Sequence, residues 1–157
     1  MEKKKYKYYC DLDGVLVDFN KGYLKLTGVK LDGTFRKDTG FWDPINKAGR
    51  PFWANLEWMN DGKQLWSYIK KHNPKILSAP SREDSSRVGK FDWVRRELPG
   101  VDLILRTMKH KKDFAEPNAI LIDDNGDNIK NWVNAGGIGI LHTSTANTIK
   151  QLKKLEE

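Results

Sequence analysis

The sequence predicts an α/β protein with a mainly parallel sheet flanked by helices and a small helical insertion after its first strand. Three observations carry this. From residue 75 onward, short apolar runs alternate with helical stretches and turn signals, the pattern of βαβ units. Three apolar runs end abruptly in polar residues, at Asp11 and Asp13, at Ser78, and at Asp123 and Asp124. Residues 29–59 break the alternation with Gly33, Gly40, Pro44, Gly49 and Pro51, which marks an inserted segment rather than regular core.

Taken in order, Tyr6 to Cys10 reads as the first strand, stopped by Asp11-Leu-Asp-Gly. Phe19, Tyr23 and Leu26 have helical spacing, and Thr27-Gly28 ends that helix. Asp61 is in position to cap a helix over Leu65, Trp66, Tyr68 and Ile69 that stops before Asn73-Pro74. Strands follow at 75–78, 101–105, 119–122 and 138–141. Helices follow at 83–97, 128–135 and 145–155, the first two closed by Pro99-Gly100 and Gly136-Gly137. The expected division is a core of about 1–18 and 67–157 with an insertion of about 19–66. In such sheets ligands gather at the carboxyl ends of the strands.

The chain has 157 residues, suited to one domain, and no apolar run approaches the ~18 residues that span a bilayer. Its basic start has no apolar stretch behind it, so no secretion signal is read there and the expected location is cytoplasmic. Cys10 is the single cysteine, which excludes an internal disulfide and a multi-cysteine zinc site. The net charge is +7, and residues 62–112 hold 13 Lys/Arg against five Asp/Glu, a balance that suits a phosphate-bearing partner. Seven of the 17 aromatics, Phe35, Phe41, Trp42, Phe52, Trp53, Trp58 and Trp66, fall between residues 35 and 66, where they serve as core or stack on a base.

Four carboxylates at two strand ends repel one another unless a cation intervenes, and all-oxygen ligation points to Mg²⁺. In Asp11-Leu12-Asp13 the first carboxylate can attack phosphorus, while the second protonates the leaving oxygen and later deprotonates water. Ser78 can donate to a phosphate oxygen, and a lysine such as Lys90 can neutralise its charge. Other patterns fail on their own terms. The run from Asp123 lacks the glycine and glutamate of a calcium loop, and Gly136-Gly-Ile-Gly139 leads into a strand where a dinucleotide fingerprint leads out of one. His72, His110 and His142 lack metal-ligand spacing.

Tyr9-Cys-Asp-Leu-Asp-Gly-Val-Leu-Val-Asp-Phe19 resembles the first motif of the haloacid dehalogenase (HAD) superfamily, in the form found in 5'(3')-deoxyribonucleotidases. Ile76-Leu-Ser-Ala-Pro-Ser-Arg82, Gly89-Lys-Phe-Asp-Trp-Val94 and Leu121-Ile-Asp-Asp124 are similar to its second, third and fourth motifs, in order, and Gly40-Phe-Trp42 to an aromatic pair of those nucleotidases. Asn125-Gly126 stands where those nucleotidases usually have Arg-Pro. The resemblance implies a Rossmann-like HAD core with a small cap and a Mg²⁺-dependent phosphatase of nucleoside monophosphates working through an aspartyl-phosphate. It makes Asp11 the nucleophile and Asp13 the acid/base. The metal would be held by Asp11, the Asp13 carbonyl and Asp123 or Asp124, and phosphate by Ser78, Lys90 and Arg82. Phe19, Phe41 and Trp42 would line the base pocket. Two alternatives stand beside this: a polynucleotide 3'-phosphatase, for which nucleic acid is the substrate, and a non-catalytic nucleic-acid-binding domain. The sequence leaves the oligomeric state open.

Overall fold

The computed structural model describes residues 5–31 and 40–157; Phe35, counted among the clustered aromatics, lies outside them. Five strands, β1 (Lys7–Cys10), β2 (Lys75–Ser78), β3 (Leu103–Leu105), β4 (Ala119–Asp123) and β5 (Ile138–Leu141), form an all-parallel sheet in the order β3-β2-β1-β4-β5. The helices are α1 (Phe19–Thr27), α2 (Asp43–Ala48), α3 (Arg50–Ala54), α4 (Gly62–Ile69), α5 (Asp84–Glu97), α6 (Gly126–Asn134) and α7 (Thr145–Glu156). No helix among the described residues is long and apolar enough to cross a membrane.

The two-residue side-chain period of the strands sorts the core into two layers. Tyr8, Cys10, Ile76, Ile120 and Ile122 face one side, where they meet Leu65, Ile69, Trp93, Val94 and Leu152 from α4, α5 and α7. Tyr9, Leu77, Ala119 and Leu121 face the other, against Trp132 of α6. β1 lies in the middle of the sheet, and the strand order reverses beside it, opening the crevice between the ends of β1 and β4.

The insertion leaves and rejoins through a neck in which Asp18 N donates to Glu57 O at 2.8 Å and Met59 N to Leu16 O at 2.7 Å. Helix α4, which the sequence assigns largely to the insertion, packs against α7 instead. Asp61 gives α4 no side-chain cap. Its carboxylate accepts from Thr145 N at 2.8 Å, satisfying an exposed-end amide of α7 84 residues away. The insertion is also fastened to the sheet layer. Arg50 of α3 pairs with Asp92 of α5 through two nitrogens, Arg96 donates to Ala54 O at 2.7 Å, and Trp93 Nε1 donates to Leu56 O at 2.8 Å. Gly89 lets α3 and α5 touch, because a Cβ there would meet Trp53 Cβ and the Arg50 carbonyl oxygen.

At the amino ends of the strands, Glu156 accepts from Tyr8 Oη at 3.2 Å and Tyr68 Oη at 2.8 Å, and Tyr8 stacks on His72 at 4.4 Å. Removing the carboxylate in Glu156→Ala is expected to lower unfolding free energy by about 1–2 kcal/mol in denaturant titrations. Burial, and then the hydrogen bond to Glu156, push the Tyr68 hydroxyl up to about 12. The folded state therefore holds this proton more tightly than the unfolded chain, and the tyrosine's contribution is complete below pH 10. It is expected to fade as pH rises from there through about 12, and less so in Tyr68→Phe.

Candidate active site

Asp11 continues β1 by one residue, its N–H donating to Ile122 O at 2.8 Å. The chain then turns on itself, with Leu12 O accepting from the amides of both Leu16 and Val17 at 2.9 Å. Buried Leu12, Val15, Leu16 and Val17 anchor the turn in the core. Gly14 has φ +82°, and a Cβ on it would run into the Asp124 carboxylate, so both its conformation and the close approach require glycine.

Two buried lysines face the carboxylates. Lys90 on α5, 1% exposed, donates to Asp13 Oδ2 at 2.6 Å and to Ser78 Oγ at 3.0 Å. Lys111, 2% exposed on the 3-10 segment Met108–Phe114, donates to Asp11 Oδ1 at 3.1 Å and Asp123 Oδ2 at 3.0 Å. Asp123 is fully buried and further held by Asn125 N at 2.9 Å and Asn128 Nδ2 at 3.0 Å. Burial and then the Asp123 charge drive the Asp11 carboxyl well above the ordinary carboxylate range, with Lys111 opposing. Burial disfavours the Lys111 charge, but Asp11 and Asp123 outweigh it and hold that ammonium above its usual value. Asp124 is exposed as a residue, yet its carboxylate lies over Gly14; burial there and the Asp123 charge raise it to about 6.

Ligand oxygens of Asp11, Asp123 and Asp124 lie within 4.8 Å of one another. With Asp13 they make four carboxylates against two buried lysines, so negative charge is left over. Oxygen donors carrying surplus negative charge, with neither cysteine nor histidine among them, fit Mg²⁺. The Asp13 carboxylate stands apart from this group, held by Lys90.

These residues open onto a cavity of about 850 Å³. Asp11, Asp13 and Lys111 line it together with Asp124, and an aromatic wall is made by Phe19, Trp42 and Trp53. Phe41 is not in that wall. It is 1% exposed, stacked on Tyr23 at 4.6 Å, with the Tyr23 hydroxyl donating to its carbonyl. Arg82 is exposed in the bend before α5 and does not line the cavity. Sequence reasoning missed Asn128 and Trp53 as site residues, and raised Lys111 only as one of three lysines, with Lys109 and Lys112, that compete with Lys90 for the lysine role. Position just before the acidic strand is the one signal that favours Lys111, and its neighbours Lys109 and Lys112 share it. His142, also on the wall, bonds Thr148 Oγ1 through Nδ1 at 2.7 Å, and burial lowers its imidazole pKa.

No family model matches the chain, and no curated protein matches it by sequence. Solved structures do. A hydrolase from Streptococcus pneumoniae TIGR4 is 15% identical with a TM-score of 0.58, covering 96% of this chain and 99% of that one. A haloacid dehalogenase-like hydrolase from Bacteroides fragilis is 17% identical with a TM-score of 0.58, covering 94% and 93%. A HAD family hydrolase from Deinococcus radiodurans R1, solved with bound phosphate and sodium, is 14% identical with a TM-score of 0.51, covering 98% and 89%. The chain has the fold of the HAD-type hydrolases.

Proposed function

We propose that this chain is a Mg²⁺-dependent phosphatase of nucleoside monophosphates, deoxyribonucleotides foremost. The observation that carries the reading is a cavity lined by Asp11, Asp13 and Lys111 beneath an aromatic wall, with buried Lys90, itself outside the lining, bonding both Asp13 and Ser78. Its volume, about 850 Å³, lies within the range of small-ligand sites. Phe19 and Trp42 line it with aromatic surface against which a base can pack.

Asp11 attacks phosphorus as a carboxylate; the new P–O bond forms as the bond to the ester oxygen breaks. Asp13, fixed through Oδ2 by Lys90, gives the leaving oxygen a proton from Oδ1, which has no hydrogen-bond partner among the described residues. It then takes a proton from the water that displaces Asp11 from phosphorus, which returns the nucleophile as a carboxylate. Ser78 and Lys90 hold phosphate oxygens, and Lys111 keeps Asp11 oriented. Asp11, Asp123 and Asp124 would hold Mg²⁺, which supplies charge neutralisation on the transferring group.

The test is phosphate release, with and without Mg²⁺, from 5'- and 3'-nucleoside monophosphates and a 3'-phosphorylated oligonucleotide. Turnover of monophosphates is expected, abolished by EDTA and reduced at least ~10⁴-fold in Asp11→Asn, which lacks the nucleophile. Turnover of the oligonucleotide alone would move the reading to nucleic-acid end repair, for which the exposed Lys109 at the cavity and the basic stretch around it are the supporting observations. Silence on every substrate would sink both.

A further inference from the structure

β3 is an edge strand, paired with β2 alone. Asp102 O accepts from Ile76 N at 2.9 Å and Arg106 N donates to Ser78 O at 3.0 Å, so residues 102, 104 and 106 turn their backbone groups toward β2. By the alternation of a strand, Leu103 and Leu105 turn theirs outward. Among the described residues, Arg106 Nη1 donates to Leu105 O at 2.8 Å and nothing else bonds these outward groups. Edge strands are commonly blunted by lysine, proline or a bulge, and Leu103-Ile-Leu105 has neither lysine nor proline.

The residues around this edge read Asp102-Leu-Ile-Leu-Arg106, a pattern complementary to its own reverse. When two such strands run antiparallel about a two-fold axis at Ile104, Leu103 of each lies opposite Leu105 of the other, and each pair exchanges both of its N–H···O=C bonds. The same register sets Asp102 opposite Arg106 at both ends, in non-hydrogen-bonded positions where side chains come closest. It is the one two-fold register that does so. Both residues are exposed, and neither has an ion pair among the described residues. The other edge strand, β5, is flanked by Gly137 and His142 and carries no such charge pair.

The helix beside the edge supplies the apolar area that so short a strand lacks. Val88, Phe91, Arg95 and Leu98 follow one another at three- and four-residue spacing and share one face of α5. Phe91 is 57% exposed, more than any other large hydrophobic side chain among the described residues. Between this face and β3 runs a groove of about 300 Å³, lined by Phe91, Val94, Arg95, Leu98, Val101 and Leu103. Leu103 points to the face of the sheet on which α5 packs. A two-fold axis joining the edges stands normal to the sheet, so it sets the α5 of the second copy on that same face, beside the first. Each apolar stripe then meets its own kind, as an isologous interface requires.

We propose that β3 and the adjoining face of α5 form a self-association surface, through which two copies of this chain join antiparallel at Ile104 into one continuous sheet. The proposal does not depend on the phosphatase reading.

Sedimentation equilibrium of the full chain at physiological salt is expected to show a concentration-dependent species of twice 18.1 kDa. Asp102→Arg alone sets like charges opposite each other at both ends, and so does Arg106→Asp alone. Each is expected to weaken the dimer at least ~10-fold, because attractive cross-strand pairs become repulsive ones twice over. Combining the two substitutions restores opposite charges with their order reversed and is expected to recover the wild-type affinity. Both positions are exposed, so none of these variants disturbs the core. A wild-type chain that stays monomeric to ~1 mM overturns the proposal. So does a dimer that either single substitution leaves intact, which places the contact elsewhere, and so does a double variant that associates no better than the single ones.

Discussion

Lys111→Met is expected to lower the unfolding free energy measured in EDTA by about 3–5 kcal/mol, the usual consequence of removing one partner from a buried ion pair. Lys111 is the one cation in contact with both Asp11 and Asp123 among the described residues, and all three side chains are withdrawn from water. Methionine matches the shape of the stem but leaves two carboxylates facing each other. Mg²⁺ held as proposed would supply positive charge to the same two groups, so the ion should raise Tm more in the variant than in the wild type. Denaturant melts of both proteins, in EDTA and in Mg²⁺, check this. Equal stability in EDTA would mean that Asp11 and Asp123 share a proton once the lysine is gone, and that Lys111 serves chemistry rather than folding. On the proposed function, turnover should fall by several orders of magnitude either way, since Lys111 holds Asp11 Oδ1.

The second large effect is expected at Gly89. A glycine inside α5 costs about 1 kcal/mol of helix propensity relative to alanine, so an isolated helix would gain from Gly89→Ala. Here the contact between helices decides the sign. The added Cβ would lie 2.8 Å from Arg50 O and 3.2 Å from Ala54 N, both backbone atoms of α3, and would also press on Trp53 Cβ. Backbone cannot swing aside as a flexible side chain can, so α3 must lift from α5. A net loss of about 1–3 kcal/mol is expected. Because Lys90 is the next residue and Trp53 lies over it, kcat/KM should fall at least ~10-fold alongside. A stabilised, fully active Gly89→Ala would show that α3 is not held against α5 in solution.

How much of this was legible in the sequence depends on how local each signal is. The strands at 75–78, 119–122 and 138–141 and the acidic residues at their ends were legible because an apolar run with a polar stop is a local pattern. Lys90 was found through its motif, and Ser78 through its place at a strand end. Lys111 was not separable from Lys109 and Lys112, because a 3-10 turn has no long amphipathic period and only tertiary packing selects which lysine turns inward. Asp61 looked like a local cap, but its acceptor is used by Thr145 far along the chain. Phe41, expected in the base pocket, is buried outside the cavity lining, while Trp53, named only among the clustered aromatics, lines it. Both sit in an aromatic-rich stretch, and which ring becomes core and which becomes wall is fixed by how α2 and α3 pack, not by spacing.

The central position of β1 bears on how the molecule loses activity. β1 and β4 are hydrogen-bonded to a strand on each side and buried apart from Lys7 at the start of β1, so their amides belong to the last part of the structure to exchange with solvent. Asp11 and Asp123 hang from those strands, while the lysine that pairs with both, Lys111, comes from a short 3-10 turn outside the sheet, and Lys90, the partner of Asp13, comes from α5. Partial opening of the periphery therefore withdraws the cations first and leaves the carboxylates in place. On the proposed function, heating should abolish turnover in a step that precedes deuterium uptake by β1, with inactivation reporting the loss of Lys90 and Lys111 rather than the melting of the sheet.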